Sequence, residues 1–120
     1  MVMTASSKRP AHRIHLNVVF IPEAGGWVVQ ALQHDFAAQG HTREEALRAL
    51  AHTIGSHLFV AQRKGITDPL AAVPPAPDQY WELFERAAKR STEAAELDAP
   101  GLPPAFVIQA IADQDMRVGR

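Results

Sequence analysis

The sequence predicts an α+β fold: a small mixed sheet with helices on one face, in the order β-β-β-α-α-β. Apolar residues alternate with polar ones from Arg13 onward, as in a half-buried strand. A glycine pair, Gly25-Gly26, then reverses the chain toward a second apolar segment. Between Thr42 and Lys64 the apolar residues instead recur at helical spacing. The sheet is therefore predicted as three antiparallel strands plus a C-terminal fourth strand.

The first three strands follow from this alternation and from the turns between them. The first strand has an apolar face made of Ile14, Leu16, Val18 and Phe20. Val19 and Ile21 make its second face apolar near its end, which indicates that something covers that face too. The return strand is predicted at Trp27–Leu32, a turn at Gln33–Asp35, and a short third strand at Phe36–Gln39.

The first helix is predicted over Thr42–Lys64. Thr42 is a favoured N-cap residue, and Glu45 follows three positions later, where its carboxylate can reach back to the cap's amide. Gly65 is placed to end the helix. The apolar stripe consists of Leu47, Leu50, Ala51, Ile54, Leu58 and Ala61. This stripe is expected to pack against the hairpin.

A proline-rich loop separates the first helix from the rest of the domain. Ile66–Pro77 contains four prolines and continues neither a helix nor a central strand. Asp78 can cap a second helix, whose outer half, Lys89–Glu96, is polar. Its apolar side is predicted to comprise Trp81, Phe84, Ala87, Ala88 and Ala95. Ala105–Ala112 reads as the last strand, and the long connection allows it to lie parallel to the first.

Length and composition bound the organisation and the class of protein. The 120 residues predict one domain over 13–113, with a disordered tail at 1–12 and a short C-terminal tail at 114–120. No cysteine is present, so disulfides and thiolate chemistry are excluded. The net charge of −1 gives no global basic field for nucleic acid. No secretion signal or membrane-spanning run is recognised, so a cytoplasmic location without membrane association is expected.

No residue of the chain is predicted to be catalytic or to bind a metal or cofactor. Two-metal phosphoryl chemistry needs converging carboxylates, and Arg13–Ile21 contains none. Glu44 and Glu45 suit the positive end of the helix dipole instead. We therefore expect that the chain is not an enzyme.

The histidines and aromatic residues each allow two interpretations. His52 and His57 are five apart, which is unsuited to a metal pair on one helix, so surface positions are favoured. His34-Asp35 could orient an imidazole or form an Asx-type turn, and the turn is favoured. Four aromatic residues could form a ligand box or a plug at the end of the sheet, and the plug is favoured. They are Trp27, Tyr80, Trp81 and Phe84.

The segment that opens the first helix carries a family resemblance. It reads Gln39-Gly40-His41-Thr42-Arg43-Glu44-Glu45-Ala46 and follows a strand that begins with a Gly-Gly turn. Together with the order of elements over about Arg13–Asp113, this resembles the HicB-type antitoxin domain. His41 stands where that family has an acidic residue. Family members commonly continue into a DNA-binding module, for which Gln114–Arg120 is too short.

The resemblance implies a partial ribonuclease-H-like fold and a non-catalytic role in regulation by protein interaction. The expected partners are a small toxin protein and a second copy of the chain, as a dimer or a tetramer, without specific DNA binding. The expected interaction edge is Phe36, Ala37, Ala38 and Gln39, and the structural motif is Gly25, Gly26, Gly40, Thr42 and Glu45. The alternative is a member of the same superfamily that binds a small ligand or RNA and has no role with toxins.

Overall fold

The computed structural model describes residues 13–90, 94–97, 100–103 and 105–111. The predicted tails at 1–12 and 114–120 lie outside these residues. The strands are β1 (Ile14–Glu23), β2 (Gly26–Ala31), β3 (Ala37–Gly40), β4 (Ala94–Leu97) and β5 (Phe106–Ile111). The helices are α1 (Arg43–Arg63) and α2 (Asp78–Arg90).

The strands form one mixed sheet in the order β3-β2-β1-β5-β4. β1 pairs antiparallel with β2, and β2 with β3, as expected for a chain that reverses through short turns. β5 pairs parallel with β1, after a crossover that includes both helices. The prediction of an α+β domain with a mixed sheet and two helices is confirmed, and so is the parallel placement of the last strand.

The predicted count of four strands is wrong, because the described residues form a fifth. Ala94–Glu96 was expected in the polar outer half of the second helix, but Ala94–Leu97 is strand β4 and pairs antiparallel with β5. α2 ends earlier, at Arg90. Alanine and glutamate favour helices locally, so pairing with the free edge of β5 overrides the local preference here.

The predicted placement of both helices on one face of the sheet is also wrong. Val18 and Leu16 belong to a core cluster that includes Leu50 of α1. Val19 belongs to a second cluster, into which Trp81 of α2 packs. Successive residues of a strand point to opposite faces, so the two helices cover opposite faces. The apolar second face near the end of the first strand is the physical reason, because that face needs its own cover.

The start of α1 follows its sequence signals closely. The backbone N–H of Glu45 donates to Oγ1 of Thr42, the N-cap, over 3.0 Å. The carboxylate of Glu45 accepts from the backbone N–H of His41 over 3.0 Å, one residue before the amide predicted as its donor. Lys64 is the C-cap, and Gly65 follows with φ of 73°. Local capping therefore determines both ends of this helix.

Two glycines allow the hairpin, β3 and α1 to approach one another closely. A Cβ on Gly26 would overlap the carbonyl oxygen of Gly40. A Cβ on Gly40 would overlap the backbone nitrogen of Ala46 in the first turn of α1. Gly25, in the β1–β2 turn, has φ of 83°, a conformation that other residues adopt only with strain. All three glycines of the predicted motif therefore have a structural role.

Candidate interaction surfaces

All residues of the predicted structural motif except Thr42 line a pocket between the β1–β2 turn and the start of α1. Its volume is about 410 Å³. The pocket is lined by Glu23, Ala24, Gly25, Gly26, Trp27, Gln39, Gly40, His41 and Glu45. The guanidinium of Arg43 lies 5.0 Å from the centroid of the Trp27 ring, within the range of a cation–π contact.

Hydrogen bonds within this pocket connect the hairpin turn to the helix entrance. The Nδ1–H of His41 donates to the carbonyl oxygen of Gly25 over 3.2 Å. The carboxylate of Glu45 is engaged by the backbone of His41, as described above. His41 therefore joins the hairpin turn to the start of α1.

Glu23 adds a carboxylate that the sequence analysis did not place on the first strand. β1 extends to Glu23, two positions past Ile21, and the Glu23 side chain is exposed at the strand's end. Within the part of the chain that the structure describes, no group of three or more histidine, cysteine, aspartate or glutamate residues could hold a metal ion. The contacts observed at this pocket are the close packing of its glycines and the hydrogen bonds that cap α1.

The predicted interaction edge is only partly a surface. β3 lies at the end of the sheet and pairs with β2 alone among the described strands. Ala37 and Gln39 are exposed, but Ala38 is half-buried and packs against the core beside α1. Phe36 precedes the strand, and its side chain is buried in that core. An aromatic side chain at the start of a short edge strand gains more from burial than from exposure.

The two helix histidines differ, although the sequence analysis treated them alike. His52 is exposed, as predicted. His57 is half-buried, and its Nε2–H donates to the carbonyl oxygen of Pro69 over 2.6 Å. Its ring also meets the Phe36 ring edge-on, with centroids 5.5 Å apart. The surface prediction for His57 is therefore wrong, because the proline-rich loop folds back over this part of α1.

His34 and Asp35 form bonds to different parts of the chain. The Nδ1–H of His34 donates to the carbonyl oxygen of Val73 over 2.9 Å, so the ring holds the proline-rich loop. The carboxylate of Asp35 accepts from the side-chain amide of Gln30 over 2.7 Å. Asp35 therefore does not orient the His34 ring through either of these bonds, and neither is the bond of an Asx turn.

Gln30 is a buried polar residue whose burial the sequence analysis did not anticipate. Alternation with Val29 along β2 predicts an outward-facing side chain at this position, yet Gln30 is 3 % exposed. Its amide also approaches the carbonyl oxygen of Phe36, over 3.3 Å. The signal in the sequence was Asp35, a carboxylate five residues later that a tight turn can bring beside the amide.

The four aromatic residues do not form one set. Trp27 packs against the core cluster on the α1 face of the sheet. Tyr80, Trp81 and Phe84 pack against the cluster on the α2 face. Neither the ligand box nor the single plug is formed, since the sheet separates the two groups.

The chain was compared with protein families, curated proteins and solved structures. No protein-family model, curated protein or solved structure matches the chain. None of the helices described is long and apolar enough to cross a membrane. The fold defines a small α+β domain with a three-stranded antiparallel meander, a capped helix on one face and a parallel strand beside the first.

Proposed function

We propose that this chain is a non-catalytic, cytoplasmic protein-interaction domain of the HicB antitoxin type, which regulates a small toxin protein by binding it. The observation that carries the proposal is the strand order. β1, β2 and β3 are antiparallel neighbours, and β5 lies parallel beside β1. This order supports the proposal, because the resemblance implies a partial ribonuclease-H-like fold in which a further strand lies beside the first of three antiparallel strands. β4 is an addition at the far edge.

The motif residues support the proposal through what they do in the scaffold. Thr42 and Glu45 cap α1, while Gly26 and Gly40 let the hairpin pack against its start. These motif residues therefore stabilise the fold and are not assigned to binding. Binding is then assigned to exposed surfaces that this scaffold presents.

The edge strand β3 is the surface that we assign to self-association. Its backbone groups on the side away from β2 can pair with an added strand, as edge strands do when nothing blocks them. Its exposed side chains, Ala37 and Gln39, carry no charge that would repel a second copy. A closed two-fold pairing of two β3 strands would satisfy both edges and give a homodimer.

Co-expression with the product of the neighbouring reading frame tests the proposal. We expect this product to be a small basic protein that arrests growth alone, and growth to resume when this chain is produced with it. We also expect the two proteins to co-elute in size-exclusion chromatography. A neighbour that is harmless, or that arrests growth regardless of this chain and never co-elutes with it, would refute a toxin-binding role.

A further inference from the structure

The outer side of α1 exposes apolar side chains that the sheet does not use. Phe59 is 58 % exposed and Val60 is 49 % exposed, and both lie outside the stripe that packs against the hairpin. Ile66, just past the helix, is 49 % exposed. These are the large exposed hydrophobic side chains of the described residues. A cluster of this kind commonly marks a binding surface.

A groove lies beside these residues, between α1 and the turn at Pro100–Gly101. Its volume is about 660 Å³. Small residues of α1, Ala51 and Gly55, line it together with Phe59. The groove is large enough to accept apolar side chains of a partner, since small-molecule sites begin at about 300 Å³.

Gly55 has no role in the fold that would require a glycine. It lies in the interior of α1, and a Cβ built on it meets no atom within 4 Å. Glycine inside a helix costs about 1 kcal/mol relative to alanine. Its effect here is to leave the surface of α1 flat at the groove, where a second chain can approach closely.

The α1 side of the groove carries positive charge. No aspartate or glutamate occurs between Glu45 and Asp68. Arg48 lines the groove and is exposed. Arg63 is also exposed, and its guanidinium lies 5.7 Å from the centroid of the Phe59 ring. Apolar surface flanked by cations is complementary to an apolar segment flanked by carboxylates.

A second copy of the chain fits this groove poorly. An antiparallel pairing of two α1 helices centred on Gly55 and Ser56 would place Arg48 of one copy opposite Arg63 of the other, twice. Like charges in contact oppose association. Nucleic acid is disfavoured as well, because single-strand sites combine a basic track with several stacking aromatic residues. Among the described residues that line this groove, Phe59 is the one phenylalanine, tyrosine or tryptophan.

We propose that the groove on α1 binds an acidic, apolar segment of another protein, with an apolar side chain against Gly55 and Phe59 and carboxylates facing Arg48 and Arg63. This surface lies on α1, separate from the outer backbone edge of β3. The two proposals can therefore fail independently.

Selection of peptides from a phage-displayed random library against the full chain tests this proposal. We expect the enriched peptides to combine apolar residues with aspartate or glutamate. Binding of the synthesised peptides should weaken at least about tenfold in Gly55→Leu, which fills the groove, and in Arg48→Glu, which reverses its charge. Gly55→Leu should not lower the free energy of unfolding, because leucine favours the helix more than glycine does and the site is open.

Arg86→Glu is the matched charge control, because Arg86 is exposed on α2, across the sheet from α1. It should bind the peptides as the parent does. The proposal is overturned if no peptide is enriched, if the enriched peptides are basic, or if Gly55→Leu and Arg48→Glu bind them as tightly as the parent. Two further results would also overturn it: binding of a single-stranded RNA oligonucleotide that depends on Arg48, and a dimer in sedimentation equilibrium that Gly55→Leu dissociates.

Discussion

Glycine occurs at Gly40 and at Gly55 for opposite physical reasons. At Gly40 the chain has no space for a side chain, because the first turn of α1 lies against it. At Gly55 a Cβ would meet no atom within 4 Å. The same residue type therefore serves internal packing at one position and leaves a surface open at the other.

Substitution of Gly40 by alanine should destabilise the domain. The added Cβ would overlap the backbone of Ala46 and Glu45, so β3 and α1 must move apart. Overpacking of this kind typically costs about 1–3 kcal/mol. The loss should appear as a lower midpoint in urea denaturation.

Gly55→Ala is the matched control, because it adds the same methyl group where nothing lies within 4 Å. It should raise the free energy of unfolding by up to about 1 kcal/mol through helix propensity. If both variants unfolded at the same urea concentration, the close approach at Gly40 would not exist in solution.

The proline-rich loop is held in place by two histidine side chains from other parts of the chain. His57 of α1 binds the carbonyl oxygen of Pro69, and His34 binds that of Val73. The loop backbone adds its own bonds, such as that from the N–H of Ala76 to the carbonyl oxygen of Leu32. Prolines limit the conformations of this segment, and the two histidines attach it to the core.

Replacing His57 with alanine should therefore destabilise the domain by about 1–2 kcal/mol, since a half-buried hydrogen bond and a ring contact are lost together. His52→Ala on the same helix is the control, and it should change the free energy of unfolding by less than about 0.5 kcal/mol because His52 is exposed. Thermal or urea unfolding measures both. Equal effects of the two substitutions would show that the loop does not depend on His57.

The exposed edge strand β3 allows self-association to be tested by one substitution. If β3 pairs with a second β3, Ala37→Lys should shift the protein toward monomer, because lysine on an edge strand opposes pairing. Sedimentation equilibrium measures the change. Ala38→Lys is unsuitable for this test, because Ala38 packs against the core and a lysine there would disturb folding.

Ala72→Lys is the matched control, because Ala72 is an exposed residue of the proline-rich loop, away from the edge of β3. It adds the same charge and should leave the oligomeric state unchanged. A protein that is monomeric before any substitution, or a dimer that survives Ala37→Lys, would exclude this edge as the interface.

We expect the whole chain to have no nuclease activity. The purified chain should not cleave RNA or RNA–DNA hybrids in the presence of Mg²⁺ or Mn²⁺. Two-metal catalysis needs several convergent carboxylates, whereas the middle of β1 has none and Glu45 is engaged in capping α1. Gel electrophoresis of labelled substrates measures this. Cleavage that disappears in both Glu23→Gln and Glu45→Gln would contradict the proposal and identify the pocket at the hairpin turn as a catalytic site.

The amino-acid sequence alone determined the parts of this protein that depend on local chemistry. The N-cap Thr42, the end of α1 at Gly65 and the glycine turn at Gly25 were predicted and lie where expected. A cap or a tight turn is decided by residues within a few positions of one another, so the signal is present in a short segment. The candidate β3 edge strand was also found this way, to within one residue at each end.

Only the tertiary structure decided the features that depend on distant partners. β4 exists because the edge of β5 is available for pairing, and α2 lies on its own face of the sheet because Val19 needs cover there. Gln30 is buried because Asp35 meets its amide, and His57 is half-buried because the proline-rich loop returns to α1. The groove at Gly55 likewise forms only when the turn at Pro100–Gly101 arrives beside α1. Each of these contacts joins chain segments whose proximity is a property of packing, which periodicity and propensity in one segment do not encode.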